Sequence, residues 1–123
     1  MAVVLAGACG STNNALSPRF QPQVNNATDN FQFQTTGITN VTQTLEHVWT
    51  NTGTSANVNQ ACSITAGTAT LRIFDEPGNL VYDRDLRDNG TFVTAFGPAG
   101  NWRIRVILSN TDGTLNFRVQ KRP

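Results

Sequence analysis

His47 is the only histidine in the 123 residues, which makes it the first place to look for proton-transfer chemistry. Beside a hydroxyl such as Ser63 and an oriented carboxylate, it could complete a Ser-His-Asp triad, with the imidazole taking the hydroxyl proton. No nucleophile-elbow motif is present, and His47 runs in phase with Leu45 and Trp49. A partly buried structural histidine is therefore expected. One His and two distant cysteines, Cys9 and Cys62, offer no zinc-ligand spacing. The densest oxygen cluster is the segment YDRDLRDNG, with Asp83, Asp85, Asp88 and Asn89. Calcium uses such oxygens, but the spacing is not that of an EF-hand loop, and Arg84 and Arg87 neutralise the segment. A solvated strand followed by a hairpin turn is expected, with no metal and no cofactor. Trp49, Trp102 and Tyr82 could stack on sugar rings, yet each lies in register with aliphatic residues, which places them in a core. A carbohydrate-binding module would need exposed aromatics or a polar groove, and it stands as the alternative function.

The residues out of phase with that core carry a second signal. Arg72, Arg103, Arg105 and Arg118 point away from it, with Phe74 and Ile107 among them. An arginine face with interleaved apolar groups suits an acidic protein partner or a second copy of the chain. The structural alternative is that the Arg stems cover exposed apolar groups while their heads pair with Asp83 and Asp85. Exposed edge strands offer a further route to association.

The elements that must position these residues follow from composition and periodicity. Thr and Asn supply 17 and 14 residues, against one Lys and two Glu. Strong helix formers for a surface are nearly absent, while Thr favours strands and Asn favours turns. From residue 31 apolar residues recur at every second position, as one buried sheet face requires. Phe31 and Phe33 begin the pattern; Val41, Leu45 and Trp49 continue it, followed by Val58, Cys62 and Ile64. Leu71 and Ile73, then Tyr82 and Leu86, then Phe92 and Phe96 extend it. Trp102, Ile104, Val106 and Leu108 precede Leu115, Phe117 and Val119.

Turn signals separate these runs: NTGTS at 51–55, EPGN at 76–79, DNG at 88–90, GPAGN at 97–101 and NTDG at 110–113. A two-residue loop at Pro77-Gly78 sets Ile73 opposite Tyr82 and Arg72 opposite Asp83. A similar loop at Asp112-Gly113 sets Leu108 opposite Phe117 and Val106 opposite Val119. About eight strands and no helix predict an all-β antiparallel sandwich, jelly-roll-like, over residues 31–123. The net charge of +1 argues against nucleic acid, which demands concentrated positive charge. No apolar run approaches the ~20 residues of a membrane-spanning helix.

The N-terminus differs in kind. Residues 1–12, MAVVLAGACGST, run from an apolar stretch through small residues to a Cys. This resembles the end of a bacterial lipoprotein signal, which implies cleavage before Cys9 and lipidation of Cys9. The basic and most of the apolar parts of such a signal are absent, so a natural start upstream of Met1 is expected. The other reading is an ordinary N-terminal strand with Cys9 free or bridged to Cys62, which an oxidising compartment would permit. Residues 10–30 are polar, Pro-punctuated and aperiodic, and read as a flexible linker.

The run GNWRIRVILSNTDGTLNFRV at 100–119 resembles the last hairpin of small secreted bacterial β-sandwiches such as the pre-peptidase C-terminal domains. The wider chain is similar to small bacterial lipoproteins. The resemblance implies a sandwich and no chemistry. The expectation is thus a non-catalytic binding or assembly module of the bacterial cell envelope or exterior, held to a membrane through Cys9.

Overall fold

The computed structural model describes residues 22–122, and they form seven antiparallel strands without a helix. In chain order these are β1 (Gln23–Ala27), β2 (Asn30–Asn51), β3 (Ala56–Gln60), β4 (Ser63–Phe74), β5 (Leu80–Asp85), β6 (Gly90–Val93) and β7 (Gly100–Lys121). All seven belong to one sheet that doubles back on itself. Half I consists of β1, residues 30–35 of β2, residues 115–120 of β7, β3 and β6. Half II consists of residues 43–51 of β2, residues 100–108 of β7, the second part of β4, and β5. The all-β, sandwich-like architecture expected from the periodicity is what the chain adopts.

The doubling is made by β2 and β7, which remain paired from Asn30↔Gln120 to Asn51↔Gly100. Their register shifts three times between Thr35 and Gln43. Gly37, Asn40, Asn110 and Gly113 take positive φ there, which lets extra residues bulge out and turn the strands. Local side chains fasten the corner. Asp112 accepts from the Asn40 amide at 2.6 Å, and Thr42 Oγ1 accepts from the Asn110 amide at 2.9 Å. Thr111 Oγ1 donates to the Thr68 carbonyl, although Thr111 is wholly buried.

This corner corrects the expected hairpin at NTDG. Val106 lies opposite Leu45 and Leu71, and Phe117 lies opposite Phe33 and Gln60, so neither Val106–Val119 nor Leu108–Phe117 pairs. Asn and Gly tolerate positive φ, and a bulged corner needs that as much as a turn does. The runs 31–34 and 38–50 are one strand, as are 102–109 and 115–119, and with the unexpected β1 the count is seven. DNG likewise joins no hairpin: β5 pairs with β4 in half II, whereas β6 pairs with β3 in half I. At EPGN the expected pairs Ile73–Tyr82 and Arg72–Asp83 form, but the connection spans residues 75–79 rather than two, and the register shifts so that Phe74 lies opposite Leu80. Asp75 closes the hairpin by accepting from the Gly78 and Asn79 amides.

The reading of residues 10–30 as linker is corrected at its C-terminal end. Residues 23–27 are β1, joined to β2 through Thr28-Asp29, with Asp29 at φ 66°. With Val24 its one large apolar residue, β1 shows no periodicity and is held by ladder bonds to β2. The Asn26 side chain also donates to the Val48 carbonyl at 2.8 Å. Residues 10–21 lie outside the described residues.

The two inner faces close a dry core. Phe31, Leu45, Trp49, Val58, Leu71, Ile73, Trp102, Ile104, Val106 and Val119 are fully buried. Trp49 and Trp102 meet edge to face at 6.2 Å, a favoured aromatic geometry. Each indole finds an acceptor, Trp49 on the Ala27 carbonyl and Trp102 on the Pro98 carbonyl. Along the open side, Tyr82 donates to Gln60 at 2.6 Å and the Arg84 guanidinium lies 3.8 Å from the Phe92 ring centre, tying half II to half I.

Two glycine substitutions separate the corner from an ordinary turn. A Cβ at Gly67 (φ +71°) meets the Asn110 backbone, whereas one at Gly78 (φ +104°) meets nothing. Gly78→Ala is expected to lower stability by about 1 kcal/mol through φ strain alone. Gly67→Ala should cost clearly more in a urea titration. Equal midpoints would show that the corner yields freely.

Candidate functional site

The outward face of half II gathers most of the residues expected to bind a partner. Its register places them in rows across β2, β7, β4 and β5. One row reads Glu46, Arg105, Arg72, Asp83. Two like charges adjoin in its middle, which alone is unfavourable, and a carboxylate at each end offsets them. Arg105 pairs with Glu46 at 2.9 Å and Arg72 with Asp83 at 3.3 Å. The Arg72–Asp83 pair is solvated at both ends, so it contributes well under ~1 kcal/mol. The next row reads Val48, Arg103, Phe74, Leu80. Val48 and Leu80 are 55% and 50% exposed, high values for aliphatic side chains on a sheet. Arg103 stands between Val48 and Phe74 with only a 3.9 Å contact to Glu46. The Arg105 guanidinium also lies 4.7 Å from the Phe74 ring centre. Ile107 belongs to the row beyond, between Thr44 and Thr70.

The expected cluster is therefore partly assembled. Arg72, Phe74, Arg103, Arg105 and Ile107 share one face. Arg118 does not: it lies on half I, between Gln32 and Asn59. Alternation reports which side of a strand a residue takes but not that β7 turns a corner between Arg105 and Arg118. The carboxylates also differ from expectation. Glu46 and Asp83 pair with the arginines, while Asp85 accepts from the Arg87 amide at 2.8 Å.

The other side chains considered for chemistry are taken up by the fold. His47 packs against Phe31 and Phe33, with ring centres 5.3 and 6.3 Å away. Its buried Nε2 has no hydrogen-bond partner among the described residues. His47 lies opposite Ile104 and Ser63 opposite Thr114, ten positions further along β7. Burial lowers the imidazole pKa below its usual 6.5. Trp49 and Trp102 are closed to any ligand. Tyr82 is also buried, and burial pushes its phenol up to about 12 against an opposing effect of Arg84.

The oxygen cluster is dispersed. Asp83 faces Arg72, and Asp88 lies 3.6 Å from Arg84. Asn89 accepts from the Cys62 amide and donates to the Cys62 carbonyl. Among the described residues no three acidic, His or Cys side chains gather as metal ligands. Cys62 is a buried free thiol hydrogen-bonded to the Asn116 backbone, and burial raises its pKa. Cys9 lies outside the described residues.

The outward face of half I, which sequence reasoning passed over, has another character. Its middle row reads Asn25, Gln32, Arg118, Asn59, Thr91. Gln23, Gln34 and Asn116 flank it on one side and Asn30, Gln120 and Asn57 on the other. The recurrence of Asn and Gln at the even positions of FQFQ and of ANVNQ was a visible signal, but polar residues on an outward face attract no notice singly. Family models, characterised proteins and solved structures give no match to this chain.

The buried imidazole generates a pH test. The unfolded chain takes up a proton near pH 6.5, whereas folded His47 resists it. Stability should therefore fall as pH drops below about 6.5 and level off below the depressed folded value. His47→Phe should flatten that part of the curve in urea titrations between pH 5 and 7.5. An unchanged slope would place the responsible group elsewhere.

Proposed function

We propose that this protein is a non-catalytic binding or assembly module of the bacterial cell envelope, which holds a protein partner against the outward face of half II. The observation that carries the reading is the row Val48, Arg103, Phe74, Leu80, in which two half-exposed aliphatic residues flank an arginine and an aromatic ring. Interfaces favour arginine and aromatic residues at their centres and surround them with apolar contact. Phe96, 76% exposed, follows Ala95, whose amide bonds the Val81 carbonyl at the β5 edge. It adds exposed apolar surface next to that bond. Of the three arginines on this face, Arg103 is the freest to meet an acidic group, because Glu46 holds Arg105 and Asp83 holds Arg72 more closely.

Attachment through a lipid on Cys9 belongs to the same reading. Each lipid methylene buried in a bilayer contributes about 0.8 kcal/mol, so several acyl chains would hold the protein firmly. The buried Cys62 thiol, already bonded to the Asn116 backbone, supports leaving Cys9 for that modification. The resemblance to pre-peptidase C-terminal-type sandwiches accords with a binding role outside the cytoplasm.

Two measurements test the proposal. Mass spectrometry of protein produced from the full-length gene in a bacterial host should find acyl groups on Cys9. An unmodified Cys9, or one bridged to Cys62, would remove the anchor. In pull-downs from the native envelope, Val48→Asp and Arg103→Glu should each lose at least tenfold of a partner that wild-type protein retains. Both sites are exposed, so the melting temperature should hold. Full retention by folded variants would end the claim for this face.

A further inference from the structure

The outward face of half I carries two carboxamides each from β1, β3 and β7 and three from β2, arrayed across neighbouring strands. Its one charged residue within the ladders is Arg118, and no carboxylate shares those positions. At the β1 side the surface sinks into a groove of about 460 Å³, where Gln23, Asn25, Gln32 and Gln34 project. These four side chains have no hydrogen-bond partner among the described residues. Asn59 and Arg118 continue the Asn25–Gln32 row beyond the groove.

A primary carboxamide offers two donor hydrogens and an acceptor oxygen from adjacent atoms. A sugar hydroxyl is likewise donor and acceptor at once, so neighbouring hydroxyls on a ring match one amide. Phosphate or carboxylate ligands would call for clustered cations, which this face lacks. Strands repeat about every 4.8 Å, so the amides form an evenly spaced array suited to a chain of similar units. From this we infer that the amide face of half I is a binding surface for an uncharged glycan, seated in the groove beside β1 and running toward Asn59. It uses neither tryptophan, and it is separate from the proposed partner face on half II.

Affinity electrophoresis of the full 123-residue chain tests this, in gels containing dextran, yeast mannan or a soluble β-glucan, with dextran sulfate as the charged comparison. At least one neutral polysaccharide should retard the protein. Asn25→Ala combined with Gln32→Ala should raise the apparent Kd at least fivefold while the melting temperature holds. Gln23→Ala in the groove combined with Asn59→Ala further along the same surface provides a second loss. Val48→Asp and Arg103→Glu should bind the polysaccharide as wild type does, so failure of the partner reading would leave this one standing. Absence of retardation by all three neutral polymers would overturn the inference. Retardation by dextran sulfate alone, or undiminished binding by both double variants, would do the same. If the double variants instead convert a sedimenting dimer to monomer without any polysaccharide binding, the face joins two copies of the chain and the glycan reading is wrong.

Discussion

The constraint on which the rest depends is that β2 and β7 stay paired while both turn the same corner. Two 22-residue strands cannot remain flat and also bury one face of each half. The bend must fall at the same height in both, or the ladder tears. Positive φ at Gly37 and Asn40 on one strand and at Asn110 and Gly113 on the other supplies matched bulges. Asp112 and Thr42 then bond across the gap to backbone amides that the irregular ladder would otherwise leave unsatisfied. Once the corner is made, His47 of half II meets Phe31 and Phe33 of half I, and the core follows.

Much of that core was legible in the order of residues. Leu71, Trp102, Val106 and Phe117 are all inside because alternation marks one side of a strand whatever the strand does next. The Arg72–Asp83 register was legible as well, since a short loop fixes the residues on either side of it. What alternation lacks is any record of whether a polar break reverses the chain or only bends it. NTDG and EPGN look alike in composition, yet one bends a strand and the other closes a hairpin. The difference lies in the partner: residues 108–115 already have β2 alongside, so the strand stays in place. β1 escaped notice for a related reason, because an edge strand held by backbone bonds needs little apolar patterning.

The two outward faces show how the same polar alternation can encode different surfaces. On half II the out-of-phase residues are charged and apolar, and they resolve into ion pairs with an exposed apolar row beside them. On half I they are almost entirely carboxamides. Sequence reading grouped Arg118 with Arg72, Arg103 and Arg105 because each is out of phase with the apolar residues of its own run. Only the corner separates them, and it leaves Arg118 alone among neutral neighbours. Phase relative to the local apolar run defines a side of the sheet, while position relative to the bend defines which surface that side becomes.

The placement of β7 has a consequence for how the chain comes to be folded. It is the neighbour of β2, β3 and β4, and Asn30 lies beside Gln120, 90 positions away. Contacts so remote in the chain are slow to form, because loop closure precedes any gain from pairing. Until β7 emerges from a ribosome or a translocation pore, β2 has no strand but β1 to pair with, and the two halves share no spine. Synthesis from the N-terminus would thus leave the halves unjoined until β7 arrives, and closure of the core would be a late, near-simultaneous event.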